Sequence, residues 1–327
     1  GTGGRGKRQT LLFSATMPAW VQQVAKEYMS ADKEYVDLVG DRSAKASQDV
    51  RHVAVPSHWA SRGRTIGDVI SVYGGGGSAS RTIVFCTTKK DCNELVMAEG
   101  IPFECQPLHG DISQSNREST LAGFKKGSFR VLVATDVAAR GLDMIVDLVI
   151  NAEPPTTASG RVDTETYVHR SGRTGRAGRK GCCVTLYTPK HRGALKEVEK
   201  QTGNVFEWRG APQPADVIAA SAEAAAEEIA AVPAEVVPLY EAAASRLIEE
   251  RGALAALCGA LACITGHKAP KQARSMLSNS EGFVTMRFTS QQPVDYVAYV
   301  WSALRKRLAP EVTDGVKGMQ VRRKEDG

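Results

Sequence analysis

Between Leu11 and Tyr187, short apolar and β-branched runs alternate with segments whose apolar residues recur at helical spacing. Ile66, Val69 and Ile70, for example, fall on one face of a helix. Strands that alternate with helices predict βαβ units, and therefore a parallel sheet covered by helices on both faces. Because ligands of such sheets bind beyond the carboxyl ends of the strands, we expect the functional residues there. The predicted strands are Thr10–Phe13, Val50–Val55, Thr82–Phe85, Val131–Ala134, Leu148–Ile150 and Cys182–Leu186.

The sequence changes character after Thr202. A stretch rich in alanine and glutamate is interrupted by Pro233 and Pro238, which end helices because proline cannot continue their hydrogen bonding. Alternating and helical patterns then follow each other, which predicts a second, small α+β domain. Its predicted elements are helices within 219–244, at 254–264 and at 294–308, and strands at 282–288 and 316–321.

Composition sets limits without deciding the function. The chain of 327 residues is long enough for about two domains, and its net charge of +6 permits a nucleic-acid partner without proving one. The seven cysteines form no C-x-x-C pair and have no histidine at zinc-site spacing, so we expect free thiols in a reducing compartment. No apolar run is long enough to predict a membrane span, and no metal site is predicted.

The densest candidate motif is His169-Arg170-Ser171-Gly172-Arg173-Thr174-Gly175-Arg176. Glycine lets the backbone approach a ligand closely, and guanidinium groups suit the charge that develops on a transferred phosphoryl group. We therefore interpret this segment as a phosphate-handling loop, in preference to a solvated basic loop.

Two further motifs follow predicted strands. The segment from Ala134 to Asp143 combines two carboxylates, a threonine and an Arg-Gly pair, although a lone aspartate in such a position is more often a helix cap than a ligand. The segment from Leu108 to Arg117 opens a helix whose free amides can take a phosphate. On its own, this last motif fits an ordinary helix start equally well.

Together these segments resemble the second RecA-like lobe of DEAD-box ATP-dependent RNA helicases, in the order and approximate spacing of that family. The resemblance includes a strand with the sequence from Ile83 to Thr88, and it covers nearly the whole chain. Ser14-Ala15-Thr16 is similar to the S-A-T motif at the end of the family's first lobe. That similarity implies that Ser14 and Thr16 couple hydrolysis to closure of the two lobes.

The resemblance also implies catalytic roles. Arg173 and Arg176 would be arginine fingers on the γ-phosphate of ATP, Asp143 would hold the ATP ribose, and His169 would connect the ATP site with the other lobe. The cofactor would be Mg²⁺, held mainly by residues of a first lobe. This chain contains neither the G-x-x-x-x-G-K-[ST] loop nor the D-E-A-D sequence of such a lobe, so we expect it to be inactive in isolation.

RNA is the implied partner, bound through its backbone and without sequence preference. Phosphate contacts carry no sequence information, which accounts for that lack of preference. The residues implied to lie on or near the RNA backbone are Thr88, Gln114, Arg117, Thr135 and Gly141.

The tail resembles the GUCT domain that follows the motor in helicases of the nucleolar RNA helicase II (Gu) type. The similar segments are Arg274–Leu277, Glu281–Met286 and Val316–Met319. An RRM-like fold follows from the resemblance, and RRM sheets bind single-stranded RNA by base stacking. We thus expect the end of a first lobe over residues 1–40, a second RecA-like lobe over 41–203, and a GUCT-type RNA-binding domain, cut short at its end, over 204–327.

The leading hypothesis is an RNA helicase of rRNA processing and ribosome biogenesis, in the nucleus and nucleolus, with the chloroplast as the alternative compartment. The alternative function is a non-enzymatic RNA-binding or annealing fragment. A DNA translocase is disfavoured by His169 and by the S-A-T context.

Overall fold

A seven-stranded, entirely parallel sheet forms the centre of the computed structural model, with the strand order β3-β4-β2-β5-β6-β1-β7 among the described residues. The strands are β1 Val50–Pro56, β2 Thr82–Cys86, β3 Cys105–Leu108, β4 Val131–Thr135, β5 Leu148–Asn151, β6 Gly181–Tyr187 and β7 Glu207–Trp208. The structure describes residues 9–13, 19–36, 49–75, 80–136, 144–157, 159–175, 178–269, 272–276, 282–291, 293–319 and 321.

The prediction of a parallel sheet from βαβ units is confirmed, and five of its strands were predicted from apolar runs. Two predictions fail at the edges. The strand predicted at Thr10–Phe13 is irregular, and Phe13 is 88% exposed, because no strand among the described residues pairs with it. The sheet also includes β7, so it continues to Trp208 through pairing with β1.

Helices cover both faces of the sheet, as predicted. One face packs on α4, α5 and α6, through the buried side chains of Phe124, Tyr167 and Leu195, and the other packs on α2 and α3, through Ile66 and Leu95. These helices and the one before β1 are α1 Ala19–Tyr28, α2 Arg62–Tyr73, α3 Lys89–Val96, α4 Gln114–Lys126, α5 Thr164–Ser171 and α6 Arg192–Thr202.

Local capping explains where three of these helices begin. Thr88, Ser113 and Asp163 each accept a hydrogen bond from a backbone amide in the first turn of α3, α4 and α5. Such a side chain satisfies one of the amides that a helix start leaves unpaired, and is worth about 1 kcal/mol. Of these helices, α3 begins shortly after the carboxyl end of β2, and α4 begins in the segment that follows β3. The sequence places its candidate site in these segments.

The tail is mainly helical. Its helices are α7 Pro214–Ala230, α8 Glu241–Arg251, α9 Ala253–Ile264, α10 Val297–Arg307 and α11 Pro310–Asp314, and α7 packs against α2. The strands predicted at 282–288 and 316–321 are not formed in the described part of these segments. In the first of these segments the Thr285 hydroxyl accepts a hydrogen bond from the Met276 amide at 2.8 Å.

A buried ion pair fastens the beginning of this last segment to the lobe. The Arg274 guanidinium lies 2.5 Å from the carboxylate of Asp68 on α2, and their side chains are only 7% and 11% exposed. The Arg274 amide also donates to the Gln213 side chain at 3.0 Å. Because one unpaired charge would be left buried, loss of either partner is costly.

We expect Asp68→Ala to destabilise the chain by about 3–5 kcal/mol, since it leaves the Arg274 guanidinium buried beside no carboxylate. Urea unfolding measures the change. The control is Glu94→Ala, which breaks the exposed pair with Lys90 and should cost less than about 1 kcal/mol. Equal costs for the two variants would mean that the Asp68–Arg274 pair does not hold the tail segment.

Candidate nucleic-acid and phosphate site

Candidate residues from three neighbouring strands lie together at the end of the sheet where the parallel strands have their carboxyl termini. This end of the sheet is called the carboxyl edge. Thr88 follows β2, His109 follows β3, and Thr135 is the last residue of β4. These strands are adjacent in the order β3-β4-β2, so their ends lie side by side. The predicted grouping of these segments at the carboxyl edge is therefore present in the fold.

Thr88 serves first as the cap of α3. Its hydroxyl accepts from the Asp91 amide at 3.1 Å, and the Asp91 carboxylate accepts from the Thr88 amide at 3.1 Å. The side chain is exposed, and its hydroxyl hydrogen can still be donated to a ligand oxygen. Thr88 can thus cap the helix and contact a phosphate at the same time.

The loop after β3 is fixed by contacts to α3. Buried His109 pairs with the Asn93 side chain at 2.9 Å, and Lys89 forms an exposed ion pair with Asp111 at 2.5 Å. The ammonium group of Lys89 lowers the pKa of Asp111. These contacts hold the start of α4 in place relative to β2.

Two predicted RNA contacts lie on the first turn of α4. Gln114 is exposed and donates to Glu118 at 2.7 Å, while Arg117 is half-buried. Ser113 caps the helix by accepting from the Asn116 amide at 3.3 Å. The amides of this first turn carry a partial positive charge. Together with Arg117, they can bind an anionic oxygen by donating hydrogen bonds to it.

Arg170 lies differently from the other basic residues of its motif, because it is buried. It is 2% exposed and donates two hydrogen bonds, at 2.6 and 2.7 Å, to the carboxylate of Asp136, the residue after β4. A third bond, at 3.1 Å, reaches the Asn151 side chain at the end of β5, and the guanidinium lies over the ring of Phe85. Arg170 is therefore a structural clamp, and the interpretation of all four basic residues as a phosphate-facing group is wrong for this one.

The next residues of the motif, Arg173 and Thr174, lie at the other end of the sheet, where the strands begin. This end is called the amino edge. The Arg173 carbonyl accepts from the Val146 amide at 3.0 Å, and the Thr174 hydroxyl donates to the Asp147 carbonyl at 3.1 Å. Both partners immediately precede β5. The expectation that all informative residues lie beyond the carboxyl ends is thus wrong for the backbone of Arg173.

Gly175 explains how the loop fits there. Its φ is +64°, and a Cβ atom at this position would lie 2.5 Å from the Cγ2 of Val50. The glycine is thus required for close packing of the loop against β1. The sequence predicted that this glycine lets the backbone approach a ligand. In the structure it lets the loop approach the protein's own sheet.

His169 and Arg173 are the members of this motif that the described structure leaves accessible. His169 is exposed on the last turn of α5, next to buried Arg170, and Arg173 is half-buried. The amide of Arg173 donates to the Arg170 carbonyl at 3.1 Å. The clamp formed by Arg170 therefore connects the carboxyl-edge residue Asp136 directly with the turn that carries Arg173.

Five of the candidate residues lie outside the described residues, and their roles stay predictions. They are Ser14, Thr16, Gly141, Asp143 and Arg176. Thr135 is described and is 8% exposed, so it offers little surface to a ligand.

The cysteines agree with the expectation from composition. All seven cysteines are free, and burial raises the pKa of Cys183 to about 12. Within the described ranges, no three histidine, cysteine or carboxylate side chains cluster in a way that could hold a metal ion. None of the described helices combines the length and apolar character needed to cross a bilayer.

Comparison with known families assigns three consecutive stretches of the chain. Residues 59–178 match the helicase conserved C-terminal domain, residues 213–264 the DDX21/DDX50 dimerisation domain, and residues 266–327 the GUCT (NUC152) domain. The three matches together indicate similarity to the DDX21/DDX50 (nucleolar RNA helicase 2) family. The resemblance to DEAD-box helicases with a GUCT domain is thereby confirmed.

Relatives from animals and plants in this family match almost the whole chain. The identity is 47% with mouse ATP-dependent RNA helicase DDX50 and 46% with rat nucleolar RNA helicase 2, in both cases over 95% of the chain. It is 42% with spinach DEAD-box ATP-dependent RNA helicase 7, over 96% of the chain. The chain spans 41%, 39% and 44% of these relatives' own lengths.

The fold is similar to that of yeast Dbp5 bound to RNA and ADP BeF3, with a TM-score of 0.52 and 29% identity over 60% of this chain and 50% of Dbp5. The predicted α/β lobe of the DEAD-box type is confirmed. The dimerisation domain at 213–264 is a feature that the sequence interpretation did not separate from the GUCT domain. The predicted boundaries at 40 and 203 stay predictions.

We expect Asp136→Ala to cost about 3–5 kcal/mol of stability, because the Arg170 guanidinium would remain buried beside Asn151 alone. Denaturant unfolding checks this. The double variant Asp136→Ala/Arg170→Met removes the buried charge as well, and should recover part of the loss. If the double variant were less stable than Asp136→Ala by the full cost of Arg170→Met, the two side chains would not be coupled.

Proposed function

We propose that, within a full-length protein, this chain is the second motor lobe and tail of an RNA-stimulated ATPase that unwinds or remodels RNA duplexes. The observation that carries the proposal is the Arg170 clamp. It joins the carboxyl edge, where the RNA backbone would lie, to the turn that presents Arg173 to a phosphoryl group. Through this connection, the position of Arg173 can depend on what is bound at the carboxyl edge.

Catalysis of phosphoryl transfer is mainly positioning and charge stabilisation. Arg173 and Arg176 would act as the arginine fingers, Asp143 would bind the ribose, and His169 would contact the other lobe together with Ser14 and Thr16. ATP is the substrate. Mg²⁺ would neutralise phosphate charge, and its ligands would come mainly from a first lobe.

RNA would bind along the carboxyl edge. Thr88, Gln114 and Arg117, with Thr135 and Gly141, would contact its backbone, and the exposed start of α4 supports this for Gln114. Hydroxyl, amide and guanidinium donors on phosphates fix the position of a strand without reading its bases. The structural neighbour Dbp5, which has RNA bound, supports the same ligand for this chain.

Ribosome biogenesis in the nucleolus is the proposed setting, because animal relatives are named nucleolar RNA helicases. The chloroplast is the alternative compartment. The alternative function, RNA binding or annealing without hydrolysis, would leave the arginine turn without a task. Its discriminating property is that removal of Arg173 would change nothing.

In the full-length protein, we expect Arg173→Ala to lower RNA-stimulated ATP turnover by on the order of a thousandfold or more, while nucleotide-independent RNA binding persists. The 327-residue chain alone should show no such turnover. Arg179→Ala is the matched control, because this exposed arginine forms a long ion pair with Asp147, at 3.5 Å, and should matter little. A full-length Arg173→Ala protein as active as the unmodified one would favour the non-enzymatic alternative.

A second proposed property is self-association through α8 and α9. Helix α9 contains no charged residue and buries none of its side chains; Leu254 is 78% and Leu257 is 52% exposed. A helix that is apolar all round is normally covered by other protein. We propose a second copy of the chain as the cover, supported by the match of 213–264 to a dimerisation domain.

We expect Leu254→Glu/Leu257→Glu to shift the chain from dimer to monomer, because charged side chains oppose burial at an interface. Sedimentation velocity measures the shift. Met97→Glu is the control, since Met97 is an equally exposed apolar residue (83%) at the end of α3, outside the tail. A dimer that survives the double substitution, or dissociates equally in the control, would contradict the assignment to α9.

A further inference from the structure

Trp59 is held half-exposed in a fixed orientation. It begins a single 3-10 turn, Trp59–Ser61, directly after β1, and 51% of its surface is accessible. The His58 side chain caps the turn by accepting from the Ala60 amide, and the guanidinium of Arg62 lies 4.2 Å from the indole centroid. A large aromatic ring is thus presented to solvent with its position already set.

The residue behind the ring is itself anchored. Arg62 is 8% exposed and donates to the carboxylate of Glu153 at 2.7 Å. A buried guanidinium loses its hydration, so burying Arg62 costs free energy. We therefore interpret the exposed indole that Arg62 supports as a functional group. The Nε atom of Arg62 has no hydrogen-bond partner in the described structure, which adds to that cost.

The ring stands on the carboxyl edge. The Ser57 amide donates to the Tyr187 carbonyl at the end of β6, and Glu153 follows the end of β5 by two residues. Strands β2, β5, β6 and β1 are consecutive neighbours. Three strand spacings of about 4.8 Å place the Trp59 turn roughly 14 Å along this edge from the end of β2, which carries Thr88.

The charged groups near the ring are the Arg62–Glu153 ion pair, which carries no net charge, and Lys190, whose charge acts on His191 together with those of the pair. An aromatic ring beside positive charge is the combination used to bind single-stranded nucleic acid. A tryptophan that anchors a protein partner instead lies at the centre of an apolar patch.

We propose that Trp59 is a stacking platform for one unpaired base of an RNA strand that continues along the carboxyl edge from the β2 end towards β1. The proposal rests on the proposed function, since it extends the same RNA path. Its occupant is a nucleobase of any type, because every base has a face to stack and Trp59 offers no hydrogen-bonding pattern selective for one of them. The platform would hold a strand after it has left the duplex, independently of the phosphate contacts near α4.

The test uses the 327-residue chain and fluorescein-labelled oligo(U), with binding followed by anisotropy across a series of salt concentrations. Trp59→Ala should raise Kd roughly fivefold to a hundredfold, and Trp59→Phe should restore most of the affinity. The dependence of log Kd on log salt should stay unchanged in Trp59→Ala, because stacking releases no counterions. Met97→Ala is the control variant, because Met97 lies at the end of α3 that is far from Thr88. Thermal unfolding confirms that the variants remain folded.

An abasic scan localises the contact. Removing one base at a time from the oligonucleotide should weaken the unmodified chain at one position, and the same abasic site should have no further effect on Trp59→Ala. Equal RNA affinity of Trp59→Ala and the unmodified chain, or a loss accompanied by a flatter salt dependence, overturns the platform.

Arg117→Ala separates the two levels of the inference. It should weaken binding and flatten the salt dependence, as loss of a phosphate contact does. If Arg117→Ala behaves so while Trp59→Ala binds normally, the platform is wrong and the RNA edge stands. If neither substitution changes RNA binding, the proposed RNA path at the carboxyl edge is wrong as well.

Discussion

The structure depends most on one buried charge, the guanidinium of Arg170. An unpaired ion in the interior costs several kcal/mol, so Arg170 can be buried only with Asp136 in bidentate contact and Asn151 beside it. Asp136 follows β4 and Asn151 ends β5, the two strands that lie on either side of β2. The position of α5 is therefore fixed against both strands at once, and the turn after α5 inherits that position. A lysine could not replace this geometry, because it lacks the planar fork of donors.

Much of the fold follows from local patterns, and the exceptions have physical causes. Four of the five correctly predicted strands are largely apolar throughout, which is what burial on both faces of a parallel sheet requires, whereas β1 also contains Arg51 and His52. β3 was not predicted because it contains Gln106 and Pro107, and both are tolerated at the first strand of the sheet order, where one side has no neighbour. β7 has only two residues and depends wholly on pairing with β1. An apolar run such as Leu11–Phe13, conversely, forms no strand without a neighbour.

The candidate site was predictable in its residue types but not in the direction of each side chain. Arg170 and Arg173 have the same chemistry and lie three residues apart, yet one is buried and the other accessible. The available signal was helical: Tyr167 and Arg170 share the face of α5 that contains the buried ring. The sequence shows that the arginines are clustered, but only packing decides which of them is buried and which stays accessible to a ligand. The same limit applies to Gly175, whose space is filled by Val50.

Helix α2 shows how these contacts combine into one arrangement. Its first residue, Arg62, supports Trp59 at the carboxyl edge, its middle residue Asp68 receives the tail through Arg274, and its apolar face packs on the sheet through Ile66. A rigid helix of twelve residues is about 18 Å long, so it spans the depth of the lobe. Any displacement of the segment at 274 must therefore separate Arg274 from Asp68 or carry α2 with it. One helix thus links the carboxyl edge, the sheet and the anchor of the tail.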